Sequence, residues 1–73
     1  SVVKSIIGQM RNKFNISVAE TGSNDMHQRA EIGYALVGND RQVVNTKADK
    51  VLNLIDDLGL AEVIDSEKEI ITL

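Results

Sequence analysis

Lys4, Arg11, Lys13 and Arg29 are the residues best suited to hold a phosphate, because ammonium and guanidinium groups neutralise a nucleic-acid backbone. Only Glu20 and Asp25 oppose them within the first 29 positions. The first three sit on one helical segment and predict a patch that reads backbone rather than bases, with ribosomal RNA as the partner. Arg29 is the outlying contact, and it also has an ordinary structural use, since a strand position would let it face Glu20 or Glu31 across a hairpin. Glu20, Asp25 and His27 have the donor types for zinc or manganese but no tight ligand spacing, so they are read as solvated polar groups, and no metal or cofactor is expected. Glu20 and His27 form the one titratable pair placed for acid–base chemistry. No nucleophile elbow, phosphate-cradling glycine loop, zinc-binding helix motif or dinucleotide fingerprint accompanies them, and the chain is expected not to be an enzyme. Base stacking would need exposed aromatic rings, yet the chain has only Phe14 and Tyr34, and both fall on apolar stripes where packing claims them.

The elements that must position these residues follow from the spacing of the apolar side chains. Val3, Ile6, Ile7, Met10 and Phe14 recur at intervals of three and four, which predicts a helix capped weakly by Ser1 or Ser5. From Asn15 the period becomes two, with Ile16, Val18 and Thr21 on one side, which predicts a strand. Gly22-Ser23-Asn24-Asp25 predicts a loop of turn-forming residues, and a second strand follows with Ala30, Ile32, Tyr34 and Leu36 on one face, closing an antiparallel hairpin. Asn39 or Asp40 caps a long helix whose stripe is Val43, Val44, Ala48, Val51, Leu54, Ile55 and Leu58, and Gly59 stands where a left-handed residue ends it. From Leu60 to Leu73 the residues Val63, Ile64, Ile70 and Ile71 predict a third strand, bulged or split around Asp65-Ser66-Glu67-Lys68-Glu69.

The expected core is Ile16, Val18, Ile32, Tyr34, Leu36, Val44, Val51 and Ile55. Residues 1–73 make a single domain, because a chain this short buries only about 60% of the surface it exposes when unfolded. With 42% apolar and 26% charged residues it is globular rather than disordered, and its core is thin. The net charge of −3 disfavours bulk coating of nucleic acid. The absence of cysteine removes disulfides and thiolate metal sites and fits a cytoplasmic home. No apolar run is long enough to span a bilayer.

The order αββαβ is α+β, and a strand placed before the first helix would complete βαββαβ, the ferredoxin-like pattern, with helices on one face of a mainly antiparallel sheet. Its first strand lies centrally, between the second hairpin strand and the last strand. The chain opens with apolar residues already in helical register, as if it started in mid-structure with that strand missing. Each unpaired buried main-chain group costs about 1–3 kcal/mol, so something must fill the gap. Three fillings satisfy it: an N-terminal segment, a strand from a second subunit, or direct pairing of the hairpin with the last strand. Exposed sheet edges and a thin core also favour a homodimer as a protein-interaction module, the rival to RNA binding.

Phe14-Asn15-Ile16-Ser17-Val18-Ala19-Glu20, then Gln28-Arg29-Ala30-Glu31-Ile32-Gly33, then Val37-Gly38-Asn39-Asp40 closely resemble, in order and spacing, the YlxP-like family of small bacterial proteins, a domain of unknown function. The resemblance covers nearly the whole chain. It implies a ferredoxin-like fold preceded by a strand and a basic run. Through the usual gene neighbours of the family, which encode translation initiation and ribosome maturation factors, it also implies a ribosome or RNA connection. The chain departs from many members in carrying His27 where an aromatic residue commonly precedes Gln28-Arg29.

Overall fold

The computed structural model describes residues 1–24 and 28–73, the side chain of Asn24 excepted, and is α+β in the order α-β-β-α. Asp25 and His27, named above as candidate metal ligands, and His27 as half of the acid–base pair, lie outside the described residues. Two compact units share the chain, Ser1–Val37 and Gly38–Leu73.

In the first unit, α1 spans Val2–Lys13. Ser1 is its N-cap: the Ser1 hydroxyl accepts the Lys4 N–H at 3.2 Å, which satisfies one of the orphan donors of the first turn. Arg11 and Lys13 stand in its last turn, where the partial negative end of the helix favours cations. β1 spans Ser17–Asn24 and pairs antiparallel with β2, Arg29–Ala35. The pairs Val18–Tyr34 and Glu20–Ile32 share one face, and Ser17–Ala35 and Ala19–Gly33 share the other. α1 lies against β1, and Ile6, Met10 and Val18 are the buried side chains among the described residues of this unit.

The hairpin departs from its expected outline. β1 does not stop at Thr21 but runs on to Asn24, because a bulge between Glu20 and Gly22 leaves Thr21 as an extra residue. The Thr21 hydroxyl donates to the Glu31 carboxylate at 2.8 Å, and a Cβ on Gly33 would stand 3.0 Å from the Thr21 methyl, so Gly33 leaves room for the bulged side chain. At the other end β2 closes at Ala35, leaving Leu36 and Val37 outside the strand.

In the second unit, α2 spans Arg41–Leu58 with Asp40 as its N-cap, whose carboxylate accepts the Gln42 N–H at 2.8 Å. Gly59 ends it at φ 64°, a left-handed conformation that glycine adopts without a Cβ penalty. Ala48 and Val51 are buried on this helix. Residues 60–73 form no helix or strand, which corrects the expected third strand. A strand exists only where a neighbour supplies a hydrogen-bonded ladder, and β1 and β2 are the whole sheet among the described residues. The ammonium of Lys68 instead donates to the Asn45 amide oxygen at 2.9 Å.

Of the expected core, Val18 and Val51 are buried, and Ile16, Ile32, Tyr34, Leu36, Val44 and Ile55 are half-buried. Ile6 and Met10, both on the apolar stripe of α1, bury more than most of these.

Candidate functional site

The four cations all fall in the first unit, yet the helix does not gather its three into one patch. At about 100° per residue, Lys4 and Arg11, seven positions apart, share one border of the apolar stripe of α1. Lys13 is nine positions from Lys4 and falls about 180° away, on the opposite border.

Arg11 is committed elsewhere. Its guanidinium donates to the Val18 carbonyl of β1 at 2.8 Å, in a part-buried position. A charged donor on a main-chain acceptor is worth about 1.5–3 kcal/mol, enough to hold the side chain against the sheet. The arginine thereby ties the last turn of α1 to the start of β1. Sequence reasoning missed this role, since a backbone carbonyl leaves no mark in the sequence at the position that supplies it.

Lys4, Lys13 and Arg29 are exposed. Arg29 opens β2 opposite Asn24, while the Glu31 carboxylate takes the Thr21 hydroxyl. Residues 1–37 carry four Lys or Arg against three Asp or Glu, and residues 38–73 carry four against eight, so the positive balance, though slight, stays with the hairpin unit. Of the aromatic pair, Phe14 and Tyr34 are both half-buried.

Among the described residues no three His, Asp or Glu side chains come together as a metal site would require. No described helix is long and apolar enough to cross a membrane. The clearest unfinished feature is the sheet, whose two strands present two outer edges. The edges differ: β1 is interrupted by the bulge and has one carbonyl occupied by Arg11, whereas β2 is regular from Arg29 to Ala35.

A family model described as "Protein of unknown function (DUF503)" matches residues 1–68. A protein of Bacillus subtilis (strain 168) named "Uncharacterized protein YlxP" is 38% identical over 56 residues, which cover 77% of this chain and 61% of that relative. The match thus spans about three fifths of the relative's length. No solved structure matches the chain.

Proposed function

The chain belongs to the DUF503 family of proteins of unknown function, and on that premise we propose that it is a non-enzymatic interaction module that works through its sheet as a homodimer. The observation that carries this reading is the sheet itself: two strands, with no third among the described residues. An isolated two-stranded hairpin is marginal in water, and a third strand or a further packed layer is what stabilises it. One helix and, among the described residues, three buried side chains give this unit little reserve. In architecture we propose a ferredoxin-like arrangement built around the α-β-β-α order, with a further strand beside β2.

Sedimentation equilibrium on the 73-residue chain tests the reading. It predicts a mass moving from 8.0 kDa toward twice that value as concentration rises through the micromolar range. A single 8.0 kDa species at every concentration would remove it.

A second reading, contact with an RNA backbone, is favoured by the exposure of Lys4, Lys13 and Arg29 in the more basic unit. Its signature is salt-sensitive co-sedimentation with ribosomal RNA that Lys4→Glu and Lys13→Glu abolish together. Arg11→Glu is a poor probe, because it also breaks the bond to Val18. Co-sedimentation unaffected by the double charge reversal contradicts this reading.

A further inference from the structure

We draw no further inference here: the strongest candidate, the hairpin face that carries Ser17, Ala19, Gly33 and Ala35, is a patch of small residues, and nothing in the structure shows what covers it.

Discussion

Met10→Ala is expected to lower stability by about 2–5 kcal/mol, the range for truncating a fully buried methionine. Met10 has no exposed surface and sits in the middle of the Val3, Ile6, Ile7, Met10 stripe of α1. Its removal leaves a void in a unit where, among the described residues, Ile6 and Val18 are the other buried side chains. A small domain has roughly 5–15 kcal/mol in all, and one stabilised by so few side chains stands near the lower end, so the loss is a large fraction. Urea unfolding followed by circular dichroism checks it. With a slope near 1 kcal/mol per molar urea, the midpoint should fall by about 2 M or more, whereas Gln9→Ala, on the exposed side of the same helix, should stay within about 0.5 kcal/mol. A Met10→Ala midpoint equal to that of Gln9→Ala would show that the helix is not packed as described.

Val51→Asp tests the other unit, and its effect should depend on pH. Val51 is fully buried on α2, in the stripe with Val44, Ala48, Ile55 and Leu58. A carboxyl placed there is desolvated, which raises its folded-state pKa above the unfolded value of about 3.9. Below about pH 4 both states are protonated, and only the change in shape and polarity is felt. As pH rises, the unfolded chain ionises first and is favoured by about 1.4 kcal/mol per pH unit until the folded-state pKa is reached. Thermal melts of the variant should therefore diverge from those of the parent chain as pH goes from 4 to 7. A difference that stays constant over that range would mean that position 51 is hydrated.

How much of this was legible in the sequence depends on whether the signal is local. The second helix is the favourable case: the stripe, Asp40 before it and Gly59 after it all lie within the segment they define, and each has its expected role. The hairpin was legible from its alternation, but the bulge at Thr21 was not, because it is set by which β2 residue faces each β1 residue. Gly22, Ser23 and Asn24 are turn-forming types, yet ladder pairing with Glu31, Ala30 and Arg29 keeps them in the strand. The tail shows the reverse error. Val63, Ile64, Ile70 and Ile71 have strand propensity, which measures fit to a pleated surface and cannot supply the missing neighbour. In the candidate site the cations were visible as residue types, and their helical angles could have been worked out in advance. The diversion of Arg11 to a strand carbonyl could not, since its partner is a backbone atom seven residues away.

Amide hydrogen exchange along the hairpin, measured at low and high protein concentration, tests the central claim most directly: a second copy of the chain covers an edge of the two-stranded sheet. Edge amides of the hairpin that bond to neither strand should exchange quickly in dilute solution and become protected as concentration rises. Edge amides that all exchange at one rate across the whole concentration range would contradict it.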